Sequence, residues 1–170
     1  MRVDRAREAA LDALAACRRN GAWIDGALKQ VLKRDGLSGR DAAFASRIAY
    51  GVMQNRIYLD RCLARCLTQR PEKLEPLLLN ILRIGAYQIL LMDKVPVNAA
   101  VNEAVEMAKA HKLSRAAGLV NAVLRNVDRR KGEPLAFADE LEALSVQTSH
   151  PRALVERVVG LLGAEEAEAF

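Results

Sequence analysis

A chain of 170 residues, 51% hydrophobic and 28% charged, is long enough for one domain with a real core and some length to spare. Its three cysteines, at 17, 62 and 66, are odd in number and show no paired spacing, which argues against a secreted disulfide framework and for a reducing compartment. The net charge of +5 hides a division: residues 1–131 hold 24 Lys and Arg against 13 Asp and Glu, a net +11, and residues 132–170 hold 2 against 8, a net −6. This sign change predicts two units meeting near Gly132-Glu133-Pro134, a basic one at 1–131 able to meet a polyanion and an acidic one at 132–170 that is not.

The opening MRVDRAREAALDAL has no unbroken apolar stretch and no small-residue cleavage site, so no signal peptide is expected and the cytoplasm is the expected location. No segment alternates apolar and polar residues, whereas apolar spacing of three and four recurs throughout, so the fold class is all-α. The first helix is predicted from about Asp4 to Arg19, with Ala9, Ala10, Ala13, Leu14 and Cys17 inward, and Asn20-Gly21 ending it. A second runs from about Ile24 to Arg34 and closes at Asp35-Gly36. Ser38 is placed to cap a third, which carries Phe44, Ile48, Gly51 and Val52 inward. Gly36-Leu37-Ser38-Gly39 lacks the Lys-Ser/Thr ending and the preceding strand of a phosphate cradle, and reads as a helix connector.

A fourth helix is expected from about Ile57 to Leu67. Cys62 and Cys66, one helical turn apart on it, read as small core residues, because a zinc site would need two more ligands and the only histidines, His111 and His150, are remote in sequence. The next helix, Leu77 to Met92 with Pro76 in its first turn, is apolar almost all round. Only Asn80, Arg83 and Gln88 form a polar strip. Such a helix is the buried axle of an all-α domain, and it falls short of the roughly 20 apolar residues needed to cross a bilayer, so no membrane partner is expected.

Val95-Pro96 breaks the chain. A sixth helix follows, from about Ala99 to Ala110, with Val101, Ala104, Val105 and Ala108 on one face, and Ser114 is placed to cap a seventh that buries Ala117, Val120, Leu124 and Val127. Beyond the boundary, Leu135–Leu144 predicts a short helix, and Ser149-His150-Pro151 reads as a cap followed by a first-turn proline. Arg152 to Leu162 then has Leu154, Val155, Val158, Leu161 and Leu162 on an apolar side. Gly163 ends that helix, and another begins at Ala164 and stops after about two turns, from which the chain is expected to be the front part of a longer protein.

The segments LRIGAYQILLMDKVPVNAAVNEAVEMAK and GLVNAVLRN, extended backward by RDAAFASRIAYGVMQNRIYLD and DRAREAALDAL, resemble the NusB domain family over about residues 4 to 130. That family includes the bacterial antitermination factors and the N-terminal domain of RsmB-type ribosomal RNA cytosine-C5 methyltransferases. The resemblance implies a NusB-like bundle of about seven helices around the central apolar helix. The continuation SHPRALVERVVGLLGAEEAEAF, with its His150-Pro151 pair, is similar to the linker and opening helices that join this domain to the catalytic portion in the methyltransferases.

What the resemblance implies for function is an RNA-docking domain, with ribosomal RNA and its own C-terminal methyltransferase domain as partners. S-adenosylmethionine is implied for that absent domain. No cofactor is expected in this chain, because none of its five prolines is followed by cysteine and no predicted strand precedes a glycine-rich turn. This chain by itself is accordingly expected to have no catalytic residue. Two alternatives stand beside it: a free antitermination-type factor that binds RNA with a ribosomal protein, and a structural appendage that packs on the catalytic domain.

Arg2, Arg5 and Arg7, with Arg18 and Arg19 at the far end of the same helix, are the best polyanion candidates, since a planar guanidinium holds phosphate through two donors and stacks on bases. An ordinary solvated face is the alternative. The arginine-rich start of NusB contributes to RNA binding, and Arg5-Ala6-Arg7-Glu8 matches that pattern, although positions 3 and 4 are Val and Asp where NusB proteins often carry further arginines. Asn121 and Arg125 fall on the family's Val-Asn-x-Val-Leu motif, near the RNA surface in NusB. Asn121 equally suits a role bonding a neighbouring backbone in the core. Aromatic residues are 4% of the chain, too few for a base-stacking platform.

Overall fold

The computed structural model describes residues 3–20 and 23–169, and these form ten α-helices and no strand. In order they are α1 (Arg5–Asn20), α2 (Ile24–Asp35), α3 (Gly39–Gln54), α4 (Arg56–Ala64), α5 (Pro76–Leu91), α6 (Val97–Ala110), α7 (Ala117–Arg129), α8 (Glu140–Thr148), α9 (Arg152–Leu162) and α10 (Ala164–Ala169). Short 3-10 turns at Pro71–Lys73 and Ser114–Ala116 lead into α5 and α7. The expected ends of α1 at Gly21 and of α10 at Phe170 lie outside the described residues.

Helix α5 is the axle. Residues 78–82 and 84–89 are buried, and the helix touches α1, α3, α4, α6 and α7. Burial of each large aliphatic side chain is worth about 1.5–3 kcal/mol, so this helix supplies much of the packing that offsets chain entropy. Its polar strip is not solvated: Asn80 and Gln88 are buried and Arg83 is half-buried. On one side α1, α2 and α3 pack together, and on the other α6 and α7 pair.

Two glycines set how closely helices approach the axle. A Cβ on Gly51 of α3 would stand 2.0 Å from the Tyr87 ring, and one on Gly85 of α5 would stand 2.5 Å from a Leu124 methyl. No real Cβ tolerates such contacts. The left-handed Gly36, at φ 62°, closes α2, with its N–H on the Lys33 carbonyl and that of Leu37 on the Leu32 carbonyl.

Several expected helix ends move. Ser38 precedes α3 but its hydroxyl bonds no backbone amide there. Ser114 lies inside a 3-10 turn, and α7 begins at Ala117 without a side-chain cap. Helix α4 stops at Ala64 because the chain tightens into a turn, with the Cys66 N–H on the Leu63 carbonyl at 2.9 Å. The helix expected at 135–144 starts only at Glu140, where Asp139 caps it by accepting from the Glu142 N–H at 2.8 Å. Ser149 does not cap α9. It closes α8 in the left-handed region at φ 55°, and Pro151 takes the capping position of α9.

The acidic segment packs against α4. Arg61 donates to Glu142 at 2.9 Å and to the Ala136 carbonyl at 2.6 Å, and its guanidinium lies 5.7 Å from the Phe137 ring centre. Arg130 bonds Glu133 at 2.9 Å. The hydroxyl of Ser149 accepts from the Ile57 N–H at 3.1 Å, at the first turn of α4. Among the described residues no helix is long and apolar enough to cross a membrane.

Candidate nucleic-acid interface

Asp4 caps α1: its carboxylate accepts from the Arg7 N–H at 2.9 Å, and its own N–H donates to Glu103 of α6 at 3.0 Å. This fixes the start of α1 against α6. Arg5, one residue on, is exposed, and its guanidinium donates to the Asp35 carbonyl at the end of α2. A cation at that helix end meets the negative pole of the backbone dipole. Asp35 is held below the usual carboxylate range by its hydrogen bond from Arg34, with the charge of Arg5 adding to the effect.

Arg7 points the other way. The residue is 9% exposed; its Nε donates to Gln88 Oε1 at 2.8 Å, and its guanidinium sits 5.0 Å from the Phe44 ring centre. Gln88 in turn donates to the Ile84 carbonyl at 3.0 Å. Arg7 therefore ties α1 and α3 to the axle, turned into the bundle where the sequence reading had it facing RNA. The signal was present in the spacing, because Leu11 and Leu14 lie four and seven residues on, placing Arg7 on the inward stripe.

Asn121 is exposed, and among the described residues its side chain makes no hydrogen bond, which corrects the core-bonding alternative. Arg125, one turn on, is half-buried and donates to Asn98 Oδ1 at 2.6 Å, at the start of α6. Asn98 was not singled out from the sequence, where no periodic signal marks it. Five residues of α6 separate Asn98 from Glu103, about 7.5 Å along the axis. One half of α6 thus carries both the contact to the start of α1, through Glu103, and the contact to Arg125, through Asn98. Arg2 and the side chain of Arg19 lie outside the described residues.

Arg18, exposed near the far end of α1, lines a separate cleft of about 340 Å³ together with Arg56, Asn80 and Arg83. Cys62 and Cys66 pack in and against the core, and burial pushes both thiols up, away from thiolate chemistry. The described residues form no strand and hence no strand-to-helix turn of the kind the cofactor expectation rested on.

A helical bundle built on a buried axle, with a basic helix at its start and an acidic helical extension, defines the class of this molecule. Residues 4–129 match the NusB family, and the chain belongs to it. It is 36% identical over 170 residues to the probable ribosomal RNA small subunit methyltransferase B of Bacillus subtilis, a likeness covering 99% of this chain and 38% of that protein. It is 33% identical over 129 residues to the transcription antitermination protein NusB of Chloroflexus aggregans, covering 74% of this chain and 86% of that protein.

Among solved structures, that of PH0851 superposes with a TM-score of 0.80 at 20% identity, over 100% of this chain and 38% of that one. The antitermination factors NusB and NusE in complex with dsRNA give a TM-score of 0.68 at 19% identity, over 74% of this chain and 94% of that one. Both establish the fold alone. The chain spans 38% of the length of the Bacillus relative.

Proposed function

We propose that residues 1–131 are an RNA-docking unit for a cytoplasmic, S-adenosylmethionine-dependent ribosomal RNA cytosine-C5 methyltransferase, and that residues 132–170 connect it to the catalytic part. One observation carries this reading. The likeness to the Bacillus methyltransferase runs over 99% of the chain, α8–α10 included, whereas the likeness to the Chloroflexus NusB covers 74%. The net +11 of residues 1–131 supplies the attraction for a polyanion. Arg5, Asn121 and Arg125 make the surface and Arg7 braces it from inside, while Arg2 stays a candidate from the sequence alone.

A titration with a small-subunit ribosomal RNA fragment at several salt concentrations tests the docking role. Affinity should fall steadily with salt, and Arg5→Ala with Arg125→Ala should reduce the log–log slope by about 2, roughly one per lost phosphate contact. Arg7→Ala should leave that slope unchanged. An affinity that stays flat between low and moderate salt removes the docking role.

A second reading is an antitermination-type factor working with a ribosomal protein, supported by the likeness that covers 86% of the Chloroflexus NusB. Tight binding of a ribosomal protein to the whole chain, together with no cytosine-C5 methylation by the complete gene product, would favour it over the first.

A further inference from the structure

We infer that the cleft between α1, the α3–α4 junction and the start of α5 is a second RNA contact, one that takes a single unstacked nucleotide. This rests on the RNA-docking reading above. The cleft measures about 340 Å³, within the range of roughly 300–1,000 Å³ typical of small-ligand sites. One wall is apolar, made by the buried Leu14, Val52 and Leu79. The lining also carries Arg18, Arg56, Asn80 and Arg83. A base and its phosphate need that pairing of surfaces.

Asn80 is the reading group. The residue is only 6% exposed, yet it lines the cleft. Its Oδ1 accepts from Arg83 Nη1 at 3.2 Å, and Arg83 is itself clamped to both oxygens of Asp60 at 2.7 Å. This braces the amide with its oxygen occupied. The Nδ2 donors have no partner among the described residues. That Nδ2 group is not buried away from solvent but open at the cleft wall, so it is free to donate to an acceptor that enters there. The edge of a base supplies such acceptors, and unstacked bases are how proteins read RNA.

The phosphate falls to Arg18 and Arg56. Both are exposed cleft residues with no carboxylate partner among the described residues, whereas the charge of Arg83 is matched by Asp60. Glu72 also lines the cleft. Its charge disfavours a second phosphate there, so the site suits one nucleotide rather than the edge of a duplex.

Nuclear magnetic resonance of the whole chain decides this. The four nucleoside 5′-monophosphates and inorganic phosphate are titrated while the side-chain NH2 signals of Asn80 are followed. At least one nucleotide should shift that pair saturably and more tightly than phosphate does. Arg18→Ala with Arg56→Ala, both on the surface, should weaken it about tenfold through loss of charge-assisted bonds, and Arg5→Ala with Arg125→Ala should leave it unchanged. An Asn80 pair unmoved by all four nucleotides, phosphate matching them in shift and affinity, or full affinity in the Arg18/Arg56 variant would each overturn the site. Arg5 and Arg125 lie outside the cleft, so a flat salt response of ribosomal RNA binding would remove the docking role while this titration still judged the cleft alone.

Discussion

Helices α1–α7 and helices α8–α10 are held by different forces. The contiguous apolar core runs from Ala6 to Val127 and takes no residue from 132–170. In the acidic segment, Leu144, Val146 and Val155 are buried outside that core, whereas Leu154, Leu161 and Leu162 of α9 are 45%, 83% and 41% exposed. Its attachment to α4 includes polar and charged contacts: Arg61 to Glu142, Arg65 at the end of α4 to the Glu133 carbonyl, Ser149 to the Ile57 amide. Packing specifies the first region; donors and acceptors at the rim position the second. An amphipathic pattern alone therefore does not tell a core helix from one whose apolar side is left outward.

That contrast can be broken from the packed side first. Gly51→Ala drives a methyl into the buried Tyr87 ring and should destabilise α1–α7 by about 3 kcal/mol, read from urea unfolding, with Tyr87→Leu recovering part of the loss. An unchanged midpoint would mean that α3 and α5 are not in close contact. Arg7→Ala strands the buried Gln88 oxygen and removes the Phe44 contact; the expected loss is about 2 kcal/mol.

The rim contacts should respond more weakly and more locally. Ser149→Ala leaves the Ile57 N–H without its acceptor and should cost about 1 kcal/mol, as for a lost helix cap. Hydrogen exchange should quicken at Ile57 and Tyr58 and hold steady in α5. Uniform quickening would show that the two regions unfold as one. The smallest effect is expected from acid. Glu142 is held below its ordinary value by the Ala138 N–H and then by Arg61, and Asp139 by Arg152. Folded values below the unfolded ones give stabilisation that is whole above about pH 4–5 and is lost as pH falls through the lower folded values. Amide signals of α8 should lose their native positions in that window while those of α5 keep theirs.

The sequence showed the axle clearly, because a run apolar on nearly every side can only be buried. Its polar strip was visible too, but not that Gln88 serves Arg7 from 81 residues away, since no local pattern encodes a partner that remote. Helix caps were read less well. Ser38 takes the capping position of α3 without a side-chain bond, whereas Ser114 and Ser149 miss the positions expected of them, because a hydroxyl chooses among several nearby amides and the tertiary packing decides which. Asp139 won the start of α8 with the Glu142 amide in reach. Of the candidate RNA contacts, exposure separates Arg5 and Asn121 from Arg7, and the inward heptad spacing was the overlooked sign.

The bond from the Ile57 amide to Ser149 spans 92 residues of sequence. It fastens the turn between α8 and α9 to the root of α4 at a point where the backbone is already turned left-handed. A joint of that kind behaves as a hinge pin rather than a tether: α9, which begins three residues on, inherits an orientation from α4, so a shift in one would be felt as a swing of the other.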